Sequence, residues 1–263
     1  MQQIIAETDR PRTRASLAAD LAALGVAPGQ FVMLHASLGS LGFVVGGAMT
    51  LLDAVLDRLG PDGTLTMPAH SADLSEPAQW AAPPVPGGWV EEIRAAMPAF
   101  DPARTPTWGL GAVAELFRTW PGVMRSNHPA ASVAARGPLA TEIVGRHPLD
   151  DPHGEASPLA RAYDRGVKLL LLGVGWNRAT LLHLAERRAW PDAAPVSAGA
   201  PITRDGRRVW QTYRDYDSDP ERFAAVGEAL AGNVVRGKVG SAAAILVDGR
   251  TAVDTAVRLL ARS

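Results

Sequence analysis

The order of three segments between residues 31 and 67 restricts the fold of this chain more than any other feature of its sequence. A short apolar run at 31–34 precedes a glycine-rich turn and a segment, 49–59, with apolar residues at helical spacing. A second apolar run follows at 64–67. This strand, helix and strand order predicts two parallel strands joined by a right-handed crossover. The strand ends near His35 and Pro68 should therefore open onto one edge of a sheet.

The rest of the chain alternates between strand-like and helix-like segments around one long loop. Residues 69–107 contain seven prolines and no sustained periodicity, which predicts a loop with at most one helical turn, around 89–97. Residues 196–204 and 207–213, joined by Asp205-Gly206, predict a β-hairpin. The other predicted helices span 12–24, 110–117, 138–144, 158–164, 178–188, 223–230 and 252–260, and the other predicted strands span 167–172 and 242–247.

Composition and charge exclude several classes of protein. With 263 residues, 47% of them hydrophobic, the chain has enough apolar material for a large core, which excludes fibrous and disordered proteins. The net charge of −1 leaves no basic surplus to neutralise phosphates, so we expect no nucleic-acid partner. The absence of Cys excludes disulfides, thiolate metal sites and a cysteine nucleophile. With no secretory signal near the start and no apolar run of about 20 residues, we expect a soluble cytoplasmic protein without membrane contact.

Two glycine-containing turns follow predicted strands. The turn at 37–47 leads into a helix, so its backbone N–H groups and the helix dipole suit a pyrophosphate, although a plain connection without a ligand is equally consistent with the pattern. The turn at 173–178 lacks the third glycine of a dinucleotide fingerprint. We therefore exclude a Rossmann-type NAD site.

Three histidines are candidates for chemistry. His183 and Glu186 lie three residues apart on one predicted helical face, as a catalytic pair or as a surface pair. His128 lies in a donor-rich turn that either holds phosphates or stabilises a loop, and His35 ends a strand, where a buried imidazole is the simplest interpretation. No metal-binding spacing occurs, so we expect no metal.

Acidic and aromatic residues recur in the predicted loops. Asp73 and Glu76 lie in the proline-rich loop, and Asp215, Asp217 and Asp219 follow the hairpin. They are either solvated loop acids or the walls of a cleft that attracts a polycationic small molecule. Four tryptophans either add stacking walls to such a cleft or belong to the core: Trp80, Trp89, Trp108 and Trp176.

Several uncommon blocks occur together and in order between about residue 12 and about residue 230. They are His35–Gly42 with Gly46-Gly47, Thr66–Ser71, Pro83–Pro86 with Trp89, Phe100-Asp101, Arg104–Thr107, Arg125–Pro129, Ser157-Pro158 and Leu182–Glu186. In these blocks the chain resembles the aminoglycoside 3-N-acetyltransferase family. The resemblance implies one acetyltransferase domain over 1–263 with an α/β fold, distinct from the GNAT fold. A mixed central sheet flanked by helices should carry the proline-rich loop and the hairpin at its active-site edge.

The resemblance also implies the roles of individual residues. His183 takes the position of the catalytic histidine, and Asp215 would orient it or bind the ammonium groups of the substrate. Acetyl-CoA would be held by two segments, which contribute His35, Ser37, Leu38, Gly39, Gly46 and Gly47, and Arg125, Ser126, His128 and Ser132. The cationic aminoglycoside would contact Asp73, Glu76, Trp80, Trp176, Glu186 and Asp217. A monomer or homodimer that confers antibiotic resistance, without a metal, is expected.

The expected reaction is direct acetyl transfer in a ternary complex, with histidine as the general base. Backbone N–H groups of the glycine-rich turn or the Thr180 hydroxyl would stabilise the developing oxyanion. Two alternatives remain at this point. One is an enzyme of the same family that accepts a different amine, because Trp108 and Trp176 depart from the family pattern near the acceptor site. The other is a non-catalytic protein that binds aminoglycosides.

Overall fold

A seven-stranded mixed sheet forms the centre of the computed structural model, which describes residues 2–230 and 232–262. In order across the sheet, the strands are β3 (Met124–Arg125), β4 (Val133–Arg136), β2 (Thr64–Pro68), β1 (Phe31–Ala36), β5 (Lys168–Leu172), β9 (Ala242–Asp248) and β8 (Val234–Val239). β1 pairs in parallel with β2 and β5, whereas β4 and β9 run antiparallel to their neighbours. The mixed central sheet and the parallel β1–β2 pair are therefore as predicted.

The strands are β1 (Phe31–Ala36), β2 (Thr64–Pro68), β3 (Met124–Arg125), β4 (Val133–Arg136), β5 (Lys168–Leu172), β6 (Val196–Arg204), β7 (Arg207–Asp215), β8 (Val234–Val239) and β9 (Ala242–Asp248). The helices are α1 (Gln2–Ala6), α2 (Arg14–Leu24), α3 (Ala48–Leu59), α4 (Val90–Ala96), α5 (Gly111–Arg118), α6 (Ala140–Val144), α7 (Pro158–Asp164), α8 (His183–Ala189), α9 (Phe223–Ala229) and α10 (Gly249–Leu260). β6 and β7 form a separate two-stranded hairpin.

Two apolar cores cover the two faces of the sheet. Along β5 the odd-numbered residues Leu169 and Leu171 enter one core, and the even-numbered Leu170 and Leu172 enter the other. The first core contains residues of α6 to α10, and the second contains residues of α2, α3 and α5. Because both faces of β5 are covered, its sequence is a continuous apolar run without alternation.

A third, smaller apolar cluster joins the hairpin to the proline-rich loop. Leu74, Met97 and Phe100 are buried together, with Trp80 and Trp210 packed against them. The Phe100 N–H donates to the Pro201 carbonyl oxygen of β6 at 2.9 Å. The loop is therefore an ordered structure with one helix, α4, where a single helical turn was predicted.

Several elements differ from the sequence expectation. The predicted helix over 178–188 is divided into 3-10 turns at Trp176–Arg178 and Thr180–Leu182, and α8 begins only at His183. β8 was not predicted, because four of its six residues are exposed and it forms the edge of the sheet. β3, β4 and α1 were not predicted either, and each has only five residues or fewer.

Within the described ranges, no helix is both long and apolar enough to cross a bilayer.

Candidate active site

The carboxyl ends of β1, β2 and β5 surround a cavity of about 680 Å³, here called the large cavity. It is lined by Leu34, His35, Ala36, Ser37, Met67, Pro68, His70, Gly109, Leu110, Gly111, Ala114, Gly173, Val174, Gly175, Asn177, Arg178, Thr180, His183 and Pro220. Parallel strands place their carboxyl ends at one edge of a sheet, where α/β proteins commonly bind ligands. The common edge predicted near His35 and Pro68 is therefore present and open.

Gly173, directly after β5, lets the backbone pass close to Ser40 in the turn that follows β1. Its φ is +64°, and a Cβ there would lie 2.4 Å from the Cβ of Ser40. Any other residue at this position would combine backbone strain with a steric clash. The sequence therefore needs glycine here to bring β5 and the turn after β1 together.

His183 is bonded to a buried carboxylate. Its Nδ1 lies 2.7 Å from Oε2 of Glu186, and Glu186 is only 3% exposed. The second Glu186 oxygen accepts the Asp219 backbone N–H at 2.9 Å. Because an ionised carboxylate only accepts hydrogen bonds, Nδ1 carries the imidazole proton and Nε2 is left as the basic nitrogen.

Two aromatic rings hold the His183 imidazole. The His153 ring stacks on it with centroids 4.9 Å apart and planes 24° apart, and the Phe223 ring meets it edge-on at 5.2 Å. Burial beside His183 keeps the pKa of His153 well below its ordinary value. His153 is therefore a neutral ring at physiological pH, and it adds no charge next to His183.

A second, narrower opening lies beside His183 and is here called the acidic cleft. It has an open volume of only about 20 Å³, the scale of one water or one ammonium group. Its acids are Glu186, Asp215 and Asp217. Burial raises the pKa of Asp215, and its Oδ1 accepts the Tyr216 N–H at 2.8 Å. His183 lines both openings and so lies where their contents would meet.

The structure corrects the expected partner of His183. Asp215 was expected to orient the imidazole or to bind the ammonium groups of the substrate, and Glu186 makes the hydrogen bond to His183, which leaves Asp215 the second role. Glu186 was expected to contact substrate, but both of its oxygens are engaged inside the protein. The reason is local: α8 begins at His183, so Glu186 follows one turn later on the same face. Asp215 and the exposed Asp217 are left as the acids that face the cleft.

His35 and His70 share the large cavity with His183. Burial, together with the neighbouring imidazoles, lowers the pKa of His35 to about 3, and burial lowers that of His70 to about 4. Nε2 of His35 is buried and has no hydrogen-bond partner among the described residues. Both rings are therefore neutral polar groups, and a ligand in the cavity would give His35 a partner it otherwise lacks.

Of the residues expected from the glycine-rich turn, His35 and Ser37 line the large cavity. Leu38 and Gly39 belong to a 3-10 turn, and a Cβ at Gly39 would face the Ile4 side chain. Gly46 and Gly47 precede α3 with φ of +79° and +61°. None of these four residues is among those that line the cavity, so their contact with acetyl-CoA stays a prediction.

Arg125 and Ser132 are engaged inside the protein, although they were expected to hold acetyl-CoA. The Arg125 guanidinium donates to the hydroxyls of Ser132 (3.0 Å) and Ser71 (2.9 Å) and lies 4.8 Å from the Phe100 ring centroid. The buried Ser132 hydroxyl donates to the Ala69 carbonyl oxygen at 2.8 Å. These hydrogen bonds tie the proline-rich loop to the sheet.

Ser126 and His128 correct the same expectation, because both are fully buried. Nδ1 of His128 accepts the Ala131 N–H at 3.0 Å, and its Nε2 donates to the Leu149 carbonyl oxygen at 3.2 Å. The Ser126 hydroxyl lies 2.9 Å from Nδ1 of His147. The donor-rich turn therefore stabilises a loop, which was the alternative interpretation of its sequence.

Most of the other residues expected to contact substrate have internal roles. Glu76 forms an ion pair with Arg94 at 2.7 Å, and Trp80 packs in the third apolar cluster. Trp176 is 9% exposed. Its indole packs so closely on Gly227 that a Cβ at this glycine would lie only 2.2 Å from the ring. Asp73 is half-buried, and its Oδ1 has no partner among the described residues. None of these four residues lines the acidic cleft, so Asp73 and Glu76 do not join Asp215 and Asp217 there.

Sequence reasoning missed His70 and His153. His70 had a usable signal, because it lies two residues beyond the end of β2, where the common edge was predicted. His153 had none, because its place beside His183 depends on a loop from a distant part of the chain. Over the described residues, no group of three or more His, Cys, Asp and Glu side chains could hold a metal ion.

Comparisons with known proteins bear on the family to which this chain is related. A family model described as aminoglycoside 3-N-acetyltransferase matches residues 33–261. An SPbeta prophage-derived aminoglycoside N(3')-acetyltransferase-like protein, YokD of Bacillus subtilis, is 43% identical over 97% of this chain and 95% of its own length. Aminoglycoside N(3)-acetyltransferase VIII of Streptomyces fradiae is 43% identical over 82% of this chain and 76% of its own length.

Solved structures give the same result. The crystal structure of YokD superposes with a TM-score of 0.97 at 41% identity, covering 100% of this chain and 98% of that one. AAC-IIIb, solved as a binary complex with CoASH, has a TM-score of 0.83 at 33% identity, covering 96% and 97%. AAC-VIa, solved with bound sisomicin, has a TM-score of 0.86 at 33% identity, covering 96% and 99%.

Proposed function

The chain belongs to the aminoglycoside 3-N-acetyltransferase family, and from this membership we propose that it transfers acetyl from acetyl-CoA to the 3-amino group of a 2-deoxystreptamine aminoglycoside. As an acetyltransferase of this family it would confer antibiotic resistance from the cytoplasm, as one domain over 1–263. The observation that carries the proposal is the position of His183, which lines both the large cavity and the acidic cleft.

The two openings differ in charge, and that difference supports one substrate on each side of His183. The large cavity presents Arg178, three imidazoles and backbone groups of glycines, which fit the polar chain and phosphates of acetyl-CoA. Arg178 has an exposed side chain there. The acidic cleft presents Asp215 and Asp217, which fit an ammonium group. The bound states of AAC-IIIb and AAC-VIa support this choice of ligands.

The residues fit direct acetyl transfer with His183 as general base. Acetyl-CoA supplies the acetyl group on a thioester, whose thiol is the leaving group. Nε2 of His183 takes a proton from the amine as its nitrogen attacks, and the Glu186 carboxylate stabilises the imidazolium through Nδ1–H. The proton then passes from Nε2 to the departing thiolate, so no covalent acyl-enzyme forms. The half-buried Thr180 hydroxyl lines the large cavity and is the candidate donor to the acetyl oxygen.

Thiol release from acetyl-CoA tests the proposal. The chain contains no Cys, so a thiol reagent in the assay reports only released CoA and has no background from the enzyme. Acceptors are a panel of 2-deoxystreptamine aminoglycosides, with simple alkylamines as matched controls. We expect release with at least one aminoglycoside and mass and NMR spectra that place one acetyl on the 3-amino group. Release with alkylamines alone would indicate a different acceptor, and no release with any amine would contradict the proposal.

A further inference from the structure

The turn at 125–129 was singled out in the sequence, and the acetyl-transfer chemistry leaves its function unexplained. Its buried polar groups are directed at another segment of the chain, residues 147–153. The Val133 N–H donates to the Ser126 hydroxyl oxygen at 3.0 Å, and that hydroxyl lies 2.9 Å from Nδ1 of His147. Nε2 of His147 lies 2.9 Å from the Pro152 carbonyl oxygen.

The direction of every bond in this series is fixed by its last member. A carbonyl oxygen only accepts, so Nε2 of His147 carries the proton and Nδ1 accepts from the Ser126 hydroxyl. Burial lowers the pKa of His147 to about 3, which keeps the ring neutral and the series intact at physiological pH. The buried β4 strand is thereby linked, through two side chains, to the peptide unit between Pro152 and His153.

That peptide unit belongs to a tightly held segment. Asp151 has a left-handed φ of 53°, which is uncommon for a residue other than glycine and persists only where the surroundings enforce it. Its carboxylate pairs with Arg187 at 2.9 Å, and its N–H donates to the Arg214 carbonyl oxygen at 3.0 Å. The His147 bond restrains the next residue, Pro152, and the imidazole that follows it is the one stacked on His183.

We propose that Ser126 and His147 are positioning residues for acetyl transfer: through the Pro152 carbonyl they hold His153 against the His183 ring. The proposal rests on the function proposed above. Glu186 restrains His183 at one atom, Nδ1, and Phe223 meets the ring only edge-on, so the ring plane can still tilt about the Cβ–Cγ bond. The stacked His153 ring removes this freedom, so Nε2 keeps a fixed direction. A misplacement of about 1 Å in a catalytic group can lower turnover about 100-fold.

Two substitutions of His147 with similar polarity test the proposal. Glutamine places an amide N–H near the position of the imidazole Nε2 and can still donate to the Pro152 oxygen. Asparagine is one methylene shorter, so it reaches Ser126 but not Pro152. We expect His147→Gln to keep kcat within about threefold of the unsubstituted protein. We expect His147→Asn to lower kcat 10- to 100-fold with both KM values nearly unchanged.

A measurement without substrates separates this proposal from the proposed function. In protein labelled with 15N at its six histidines, the His183 ring signals are assigned by their loss in His183→Ala. We expect His147→Asn to shift these signals and His147→Gln to preserve them, whether or not acetyl transfer is detected. Unchanged His183 signals in a folded His147→Asn variant would overturn the proposal, as would equal loss of kcat in both variants.

Thermal unfolding confirms that the variants fold. Should His147→Asn fail to fold, Ser126→Ala replaces it, because that change removes one oxygen and leaves His147 in place. This variant removes the hydroxyl that donates to Nδ1 of His147. We therefore expect a shift of the His183 signals smaller than that in His147→Asn, and a three- to tenfold loss of kcat. Signals and kcat equal to those of the unsubstituted protein would overturn the proposal.

Discussion

At the scale of single residues, the site depends on how Glu186 is buried. Its carboxylate is removed from solvent but accepts two N–H groups, from His183 and Asp219, which compensate for the lost hydration. A carboxylate held in this way cannot turn toward a substrate. The acids proposed to bind the acceptor, Asp215 and Asp217, are separate groups that face the cleft.

The Glu186→Gln substitution keeps the shape of this carboxylate and removes its charge. We expect kcat to fall about 100-fold, because the imidazolium loses its counter-charge and an amide can accept only one of the two N–H groups cleanly. His183→Ala should lower kcat about 100-fold or more and leave acetyl-CoA affinity unchanged in calorimetric titration. Steady-state kinetics of both variants are the measurement. A Glu186→Gln variant with unchanged kcat would remove Glu186 from the reaction.

The Asp215→Asn substitution tests the acidic cleft. We expect the acceptor KM to rise and the acetyl-CoA KM to stay constant, because only the cationic substrate loses an attractive charge. Burial raises the pKa of Asp215, so its charge, and with it acceptor affinity, should be lost earlier as pH falls than for an ordinary aspartate. Asp217→Asn is the matched control, since Asp217 is exposed and screened and should matter less. Equal KM values in Asp215→Asn and the unsubstituted protein would place Asp215 outside the acceptor site.

At the scale of elements, the sequence predicted what depends on local pattern and missed what depends on contacts with distant elements. The run at 167–172 was recognised as a buried strand because a short apolar run between two glycines, Gly166 and Gly173, is typical of a strand covered on both faces. β8, with Arg236 and Lys238 exposed, shows no apolar pattern, because an edge strand with most of its side chains in solvent needs none.

The same difference between local sequence pattern and distant contacts explains which parts of the site could be predicted. His183 and Glu186 could be paired from their spacing alone, although the spacing could not show that α8 begins at His183. The role of Arg125 could not be predicted, since its hydrogen-bond partners lie up to 56 residues away in the sequence. A donor-rich turn has the same sequence whether its donors face a phosphate or the carbonyl groups of a loop.

The Arg125→Lys substitution tests the structural role of that turn. Lysine keeps the charge but cannot reproduce the fork of N–H groups that Arg125 directs at Ser132, Ser71 and the loop carbonyls. We expect the free energy of unfolding to fall by about 2 to 3 kcal/mol, since buried acceptors lose their donors. Thermal denaturation should show a Tm lower by about 5 to 10 °C. A raised acetyl-CoA KM at unchanged Tm would instead restore the phosphate-binding role first expected from the sequence.

At the scale of the whole molecule, buried neutral histidines link stability to pH. Burial lowers the pKa of each of five histidines: to about 3 for His35 and His147, to about 4 for His70 and His128, and well below the ordinary value for His153. In the unfolded chain each titrates near about 6.5. Below that pH the unfolded state binds protons that the folded state excludes, so the folded state loses stability.

The predicted consequence is acid unfolding well above the pH at which carboxylates titrate. Stability should be fully present above about pH 7 and decline as pH falls from about 6.5 toward 4, by at most about 1.4 kcal/mol per pH unit for each histidine. Urea unfolding at pH 7.5, 6.5 and 5.5 measures the slope, which should correspond to the uptake of several protons. The double substitution His128→Gln with His147→Gln should make the slope shallower. A stability that does not change between pH 7.5 and 5.5 would contradict the burial of these rings.

The cluster of Leu74, Met97 and Phe100 that fixes the proline-rich loop to the hairpin shares no residue with the two cores of the sheet. The apolar contacts that shape the loop above the sheet edge are therefore separate from those that pack the strands, and Arg125 links the loop to the sheet through hydrogen bonds. A substitution in this cluster is therefore expected to change the shape of the loop before it changes the positions of His183 and Glu186. An ancestral sheet with one inherited chemistry can in this way give rise to descendants that differ in the amine they recognise.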